Sequence, residues 1–170
     1  MMRWLAVAAW AWVSCAAALE APNVVMISDR LATSGQPKAA SLAELGREGY
    51  TKVIYLVPPG APDAVADEAK ILRAQGIEFV VVPIAWERPS DADFDAFAAA
   101  MGKADAGKVL VHCQINLRAS TMTFLYRTVV LGVPPDKAYE AVTAVWSPNA
   151  VWKRYATAQL ARAGIAFEPY

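Results

Sequence analysis

The sequence predicts an α/β fold in which a largely parallel sheet is covered by helices on both faces. Short apolar runs, typical of buried strands, alternate with stretches of helical periodicity over the first two thirds of the chain. The last third carries helical periodicity only. With 170 residues and 56% hydrophobic content, the chain can build one sizeable core. We therefore expect a single domain over residues 19–170 with a helix-rich C-terminal third.

The first 18 residues have the pattern of a signal peptide. Arg3 precedes the apolar run of residues 4–14, and small residues lead to Ala18, after which cleavage is expected. The run is short for a membrane span; an uncleaved anchor and lipid attachment at Cys15 are the alternatives. Cleavage would leave Cys113 as the single thiol, so no intramolecular disulfide could form. We expect a periplasmic or secreted protein with no stable membrane span after processing.

Two strands, each followed by a helix, are predicted in the first part of the mature chain. A short strand at residues 24–27 leads to the turn SGQP at residues 34–37. Ser41 and Glu44 have the spacing of a helix-capping box, and Gly49 ends that helix. The apolar run at residues 52–57 predicts a buried strand, and residues 63–75 carry apolar side chains at helical spacing.

Two more strands and a helical tail are predicted after Gly76. Apolar residues 77–83 form a strand, and a loop leads to a helix that begins near Asp91. Residues 108–112 form the last strand. From Leu117 to about Ala163 the pattern is helical, with interruptions at residues 132–135 and 147–148.

The most informative residues are His112 and Cys113, followed five positions later by Arg118. Cys113 follows a predicted strand, and a predicted helix begins beside Arg118. Ligands bind at the carboxyl ends of strands in open α/β sheets, and a helix N-terminus adds positive potential there. A thiolate is favoured in this position, and a short loop ending in arginine can hold a tetrahedral anion. This pattern indicates a cysteine-dependent phosphatase.

Supporting roles are predicted for two neighbours of the nucleophile. His112 precedes Cys113 on the strand, so its side chain points to the opposite face and is expected to orient the loop. The hydroxyl of Ser120, seven positions after Cys113, is expected to hydrogen-bond the thiolate or assist its departure.

A phosphatase also needs a general acid to protonate the leaving oxygen. The loop before the third helix offers three carboxylates. Asp93 forms a capping box with Ser90, and Asp91 falls in the first helical turn, so both have a structural explanation. Glu87 has none and is the first choice for the acid; Asp91 is the second. Trp86, adjacent to Glu87, is expected to form one wall of the site.

Five segments of the sequence resemble those of a known family. The segments HCQINLRAS, SGQP, KVIYLV, VPIAWERPSDADF and WSPN resemble bacterial proteins similar to dual-specificity and tyrosine phosphatases. These are related to the phosphatase-like domain of β-lactamase hydrolase-like proteins. The resemblance implies a dual-specificity-phosphatase-like fold with a central, mostly parallel sheet of four or five strands. It also implies that Cys113 is the nucleophile and that the phosphate-binding loop comprises Gln114, Ile115, Asn116, Leu117 and Arg118.

The loop departs from the usual pattern of cysteine phosphatases, which place five residues between Cys and Arg. Here four residues intervene, Asn116 takes the usual glycine position, and Ala119 separates Arg118 from Ser120. Asparagine tolerates a positive φ well, so the turn can still form. Two alternatives stay open: a rhodanese-like sulfurtransferase, and a relative that binds phosphate or a phosphoprotein without turnover.

Composition limits the partners. The 16 basic and 16 acidic residues cancel, so no overall field recruits nucleic acid or an anionic membrane. We expect a phosphorylated substrate, either a protein or a small molecule. No His, Cys or carboxylate cluster has the spacing of metal ligands, and no cofactor is expected.

Overall fold

The computed structural model describes residues 19–102 and 107–170; the predicted signal peptide, residues 1–18, lies outside the described residues. The strands are β1 (Val25–Ser28), β2 (Leu31–Ser34), β3 (Tyr50–Tyr55), β4 (Glu78–Val81) and β5 (Lys108–His112). The helices are α1 (Ala39–Leu42), α2 (Glu68–Arg73), α3 (Asp91–Met101), α4 (Leu117–Val129), α5 (Pro135–Thr143) and α6 (Ala150–Arg162). The α/β fold is confirmed, as is the helix-rich C-terminal third.

The five strands form one sheet in the order β1-β2-β5-β3-β4. Strand β1 pairs with β2 in antiparallel orientation, whereas all the other pairs are parallel. The carboxyl ends of β2, β5, β3 and β4 therefore lie at the same edge. Strand β5 lies between β2 and β3, which places the segment after His112 at the centre of this edge.

Two details of the N-terminal part were predicted wrongly. The sequence pattern predicts no strand at Leu31–Ser34, where the structure has β2. Helix α1 begins at Ala39 rather than at Ser41, and the Ser41 hydroxyl accepts a hydrogen bond from the backbone N–H of Glu20. The predicted capping box is therefore absent, because Ser41 helps to attach the preceding segment instead.

Apolar side chains fill both faces of the sheet because neighbouring residues on a buried strand alternate between its faces. Leu110 of β5 packs on one face with Leu42 and Leu72, on the side of α1 and α2. Val111 packs on the other face with Met122 of α4 and with Phe97. The α4 helix is buried along most of its length and so anchors the segment that follows β5.

N-terminal capping residues and a glycine turn determine where the helices after β4 begin and end. Ser90 and Asp93 form the predicted capping box of α3. Gly132 adopts a positive φ of 69° between α4 and α5, and Asn149 caps α6 by accepting from the N–H groups of Val151 and Trp152. Across residues 19–102 and 107–170, no helix combines the length and apolar character needed to cross a membrane.

Candidate active site

Cys113 lies at the centre of the carboxyl edge of the sheet. It directly follows β5, and its backbone N–H donates to the carbonyl of Ser34 at 3.2 Å. Its side chain is only 1% exposed. The thiol is thus enclosed by the ends of two parallel strands and by the turn into α4, the position that the sequence analysis predicted for it.

The carbonyl groups after Cys113 are held by the surrounding protein. The Gln114 carbonyl accepts from the N–H of Gln36 at 2.9 Å, and the Ile115 carbonyl accepts from the side chain of Asn23 at 2.9 Å. The C=O and N–H of one peptide unit point in opposite directions, so an outward carbonyl favours an inward N–H. This arrangement favours a concave set of donors suited to an anion.

Asn116 shapes the turn between Cys113 and α4. It adopts the left-handed conformation with φ of 72° at the N-cap of α4, as the sequence analysis anticipated for the usual glycine position. Its fully buried side chain donates to the carbonyl of Asn23 at 2.6 Å and to the hydroxyl of Thr33 at 3.0 Å. Asn116 therefore attaches the loop to β2 and to the segment before β1.

Substitutions at Asn116 distinguish the contribution of its side-chain hydrogen bonds to stability from that of its positive φ. Asn116→Gly loses both hydrogen bonds but relieves the positive φ, so we expect the free energy of unfolding to fall by about 1–2 kcal/mol. Asn116→Ala loses the bonds and keeps the strain, and we expect a loss of about 2–4 kcal/mol. Urea denaturation of both variants measures the difference. Equal losses would show that the backbone conformation contributes nothing to the preference for asparagine.

Arg118 presents its guanidinium to the thiol. Burial lowers the pKa of Arg118, while the charge of Cys113 and a side-chain hydrogen bond to it act in the opposite direction. The Nε–H donates to the Ile84 carbonyl at 3.0 Å, and an Nη1–H donates to the Gln114 side chain at 3.5 Å. These bonds fix the guanidinium plane beside the nucleophile.

Trp86 forms one wall of a cavity next to this loop. The cavity has a volume of about 340 Å³ and is lined by Trp86, Gln114, Ile115, Leu117 and Arg118. The Arg118 guanidinium lies 5.1 Å from the Trp86 ring centroid, a cation–π arrangement.

An aromatic cluster holds Trp86 in this position. Its ring centroid lies 5.6 Å from that of Trp146 and 5.3 Å from that of Trp152. The fully buried Trp152 also donates from its indole N–H to the Trp86 carbonyl at 3.1 Å. Trp146, the first residue of the WSPN segment, and Trp152, which follows that segment, thus position the wall of the cavity.

His112 belongs to a buried polar network behind the loop. Its Nε2 lies 2.8 Å from Oε1 of Glu68, and its ring stacks on Tyr55 with centroids 4.8 Å apart. The other oxygen of Glu68 accepts from the Gln36 side chain at 3.0 Å. Glu68 and Gln36 were not predicted as members of the site, although Glu68 lies three residues after Val65 and four before Leu72, on the apolar side of the helix.

Ser120 lies in the first turn of α4, with its hydroxyl directed to the backbone. It donates to the Leu117 carbonyl at 3.2 Å, so its hydrogen is engaged away from the thiol. Donation to the Cys113 thiolate would require the hydroxyl to rotate and give up this bond. In this conformation Ser120 therefore stabilises the start of α4.

The two carboxylates that the sequence favoured as the acid, Glu87 and Asp91, do not line the cavity beside the loop. Glu87 is exposed and is not among the residues that line the cavity. Asp91 is held by α6, where its carboxylate accepts from Gln159 and lies 3.5 Å from Arg162. Neither of these observations places a proton donor beside Cys113.

A carboxylate that the sequence analysis did not consider contacts the loop. Asp63 accepts a hydrogen bond from the Gln114 side chain at 3.0 Å. Burial, together with the charges of Asp63, Glu68 and Cys113, raises the pKa of Tyr55 to about 12, against the opposing charge of Arg118. The charges of Asp63, Glu68 and Cys113 therefore all act on the hydroxyl of Tyr55.

No cluster of three or more His, Cys, Asp or Glu side chains suited to a metal ion occurs in the described ranges 19–102 and 107–170.

No protein-family model matches the chain. It is 30% identical to a candidate phosphatase of the DUF442 family from Shewanella putrefaciens CN-32, whose crystal structure superposes with a TM-score of 0.75. That match covers 84% of this chain and 91% of the other. The chain belongs to this phosphatase-like family. This result confirms the family resemblance seen in the sequence. It also confirms the predicted dual-specificity-phosphatase-like fold.

Two further comparisons concern a longer curated relative and a solved structure with a bound ligand. The chain is 37% identical over 101 residues to a β-lactamase hydrolase-like protein from Xylella fastidiosa, a match that covers 57% of this chain but 23% of the relative. The chain therefore spans about a quarter of the length of this relative. The crystal structure of TpbA from Pseudomonas aeruginosa in complex with phosphotyrosine is 25% identical, with a TM-score of 0.57, over 80% of this chain and 81% of that one.

Proposed function

We propose that the protein is a cysteine-dependent phosphatase that hydrolyses a phosphate monoester through a phosphocysteine intermediate. One observation carries the proposal: the Arg118 guanidinium faces the buried Cys113 thiol across a short loop at the centre of the carboxyl edge of the sheet. The family relation to phosphatases supports the same reaction.

Each group near the loop has a task in this reaction. The Cys113 thiolate attacks phosphorus, forming an S–P bond while the bond to the leaving oxygen breaks. Arg118 and the backbone N–H groups hold the remaining phosphate oxygens and stabilise the charge that develops on them. Water then attacks the phosphocysteine, which releases inorganic phosphate and restores the thiolate.

The substrate we propose is a phosphorylated side chain of a protein or a small phosphorylated molecule. The Trp86 wall offers an aromatic surface beside the loop, and the related TpbA binds phosphotyrosine. We further propose that the protein acts in the periplasm or outside the cell, because residues 1–18 have the composition of a signal peptide.

The decisive experiment assays the mature wild-type protein and Cys113→Ser side by side in two reactions. The first is phosphate release from 4-nitrophenyl phosphate, and the second is sulfur transfer from thiosulfate to cyanide. We expect Cys113-dependent phosphate release without sulfur transfer. Mass spectrometry of an acid-quenched reaction should detect one phosphate on Cys113.

Other outcomes would favour the alternative functions. Sulfur transfer that depends on Cys113 would indicate a rhodanese-like sulfurtransferase. If neither reaction of the wild type exceeds that of Cys113→Ser, while phosphate still binds in calorimetry, the protein is a binding module rather than an enzyme.

A further inference from the structure

We propose that the hydroxyl of Tyr55, the last residue of β3, donates a hydrogen bond to an oxygen of the phosphate group that binds between Cys113 and Arg118. This inference deepens the proposed function and rests on its phosphate site. Tyr55 lies outside the loop between β5 and α4, on the strand adjacent to the one that Cys113 follows.

The sheet holds the Tyr55 ring beside the residue that precedes the nucleophile. In the parallel pairing of β3 with β5, Tyr55 lies opposite His112. The Tyr55 ring stacks on the His112 ring with centroids 4.8 Å apart and on the Phe79 ring with centroids 6.4 Å apart. The whole residue is 7% exposed. The two neighbouring rings therefore restrict where the Tyr55 hydroxyl can point.

The Tyr55 hydroxyl is a buried donor without a partner. Among residues 19–102 and 107–170 it forms no hydrogen bond, although its oxygen is buried. Loss of contact with water without a new partner destabilises a folded protein, and such groups are rare in native structures. A ligand that supplies the acceptor explains why this hydroxyl is retained. Its burial is compatible with a role in the site, because Cys113 itself is only 1% exposed.

The Tyr55 hydroxyl is also within electrostatic range of the two side chains that would contact the phosphate. Burial and the charges of Asp63, Glu68 and Cys113 raise the pKa of Tyr55 to about 12, against the charge of Arg118. Burial lowers the pKa of Arg118, whereas the charges of Cys113 and Tyr55 raise it. The Tyr55 hydroxyl therefore keeps its proton at neutral pH, as a hydrogen-bond donor must.

Other hydroxyls near the loop are engaged elsewhere. Ser120, predicted from the sequence to serve the thiolate, donates to the Leu117 carbonyl at 3.2 Å, and Thr121 donates to the same carbonyl at 3.1 Å. The Tyr55 hydroxyl, by contrast, forms no hydrogen bond with the Cys113 sulfur or with any other described group. The acceptor that fits is therefore an oxygen of the bound phosphate rather than the thiolate.

The test removes the hydroxyl and keeps the ring, in Tyr55→Phe. We expect the dissociation constant for inorganic phosphate, measured by calorimetry on the mature protein, to rise by about 10-fold. The kcat/KM for 4-nitrophenyl phosphate should fall by about 10–100-fold. The melting temperature should equal or exceed that of the wild type, because the variant loses no hydrogen bond within the protein.

Tyr126→Phe is the matched control, because Tyr126 is also buried but its hydroxyl has a partner. It donates to the Gly102 carbonyl at 2.9 Å. We expect the opposite pattern: a lower melting temperature with an unchanged dissociation constant for phosphate. Alkylation of Cys113 by iodoacetamide, followed against pH, tests the thiolate separately, and its midpoint should be the same in Tyr55→Phe and in the wild type.

Three results would overturn the role of Tyr55. The first is equal phosphate binding by the wild type and Tyr55→Phe, even if hydrolysis that depends on Cys113 is observed. The second is a shifted alkylation midpoint without weaker phosphate binding, which would assign the hydroxyl to the thiolate. The third is a loss of melting temperature as large as that of Tyr126→Phe, which would show that the hydroxyl bonds within the protein.

The experiment also distinguishes this inference from the proposed function. Weaker phosphate binding by Tyr55→Phe, without Cys113-dependent hydrolysis in the wild type, would support the role of Tyr55 and overturn the phosphatase. Hydrolysis without an effect of Tyr55→Phe on phosphate binding would leave the phosphatase intact. A wild type that neither binds nor releases phosphate would overturn both.

Discussion

Replacing Arg118 with lysine is expected to lower kcat/KM for an aryl phosphate by about 10³-fold while the protein stays folded. The Ile84 carbonyl holds the Nε–H edge of the guanidinium, and the Trp86 ring lies 5.1 Å from its centre. These contacts fix a plane from which two donors can reach a phosphate together. Lysine keeps the positive charge but offers a point charge without this plane. Steady-state kinetics with 4-nitrophenyl phosphate and a thermal melt measure both parts of the prediction.

Arg127→Lys is the matched control, because Arg127 lies on the same helix and is also partly buried. Its guanidinium donates to the Ala138 carbonyl at 3.3 Å and takes no part in the loop. We expect a small loss of stability and an unchanged kcat/KM per folded molecule. If Arg118→Lys behaves like Arg127→Lys, the guanidinium does not clamp the phosphate, and the charge alone accounts for its role.

The position of Cys113 was predictable because strong local signals surround it. The run at Lys108–His112 is apolar enough to identify β5, and the helical pattern that begins at Leu117 identifies α4. The residues between these two elements are therefore predicted as a turn. Strand β2 gave no such signal. Its fully buried residues Ala32, Thr33 and Ser34 are small or polar, and burial comes from the neighbouring strands rather than from hydrophobicity.

Asp63 could not be predicted as a site residue because its position depends on strand order. Its sequence separation from Cys113 is 50 positions, whereas Glu87 is nearer in the chain. Only the pairing of β3 with β5 shows that the loop carrying Asp63 is the adjacent one. Glu68, by contrast, could have been identified from the sequence. It lies on the apolar face of a helix, and a carboxylate in that position requires a buried partner.

Substitution of the buried Glu68 is expected to have a large effect on the stability of the fold. Glu68 is 4% exposed, and its oxygens contact His112 at 2.8 Å and Gln36 at 3.0 Å. Removing one member of a buried pair leaves the other without compensation, so we expect Glu68→Ala to lower the free energy of unfolding by about 3–5 kcal/mol. Glu68→Gln keeps the volume and one acceptor, and we expect about 1–3 kcal/mol. Urea denaturation measures both losses.

A double-mutant cycle assigns this loss to the contact with His112. If the two side chains stabilise each other, Glu68→Gln and His112→Gln should couple by about 1–3 kcal/mol, so that the double variant is more stable than the sum predicts. Glu44→Gln is the control on a surface ion pair with Arg47, where less than about 1 kcal/mol is expected. Additive losses in the cycle would contradict the pairing. Because His112 precedes Cys113 directly, coupling in stability should be accompanied by a lower kcat in each single variant, as the loop loses the support that holds the nucleophile.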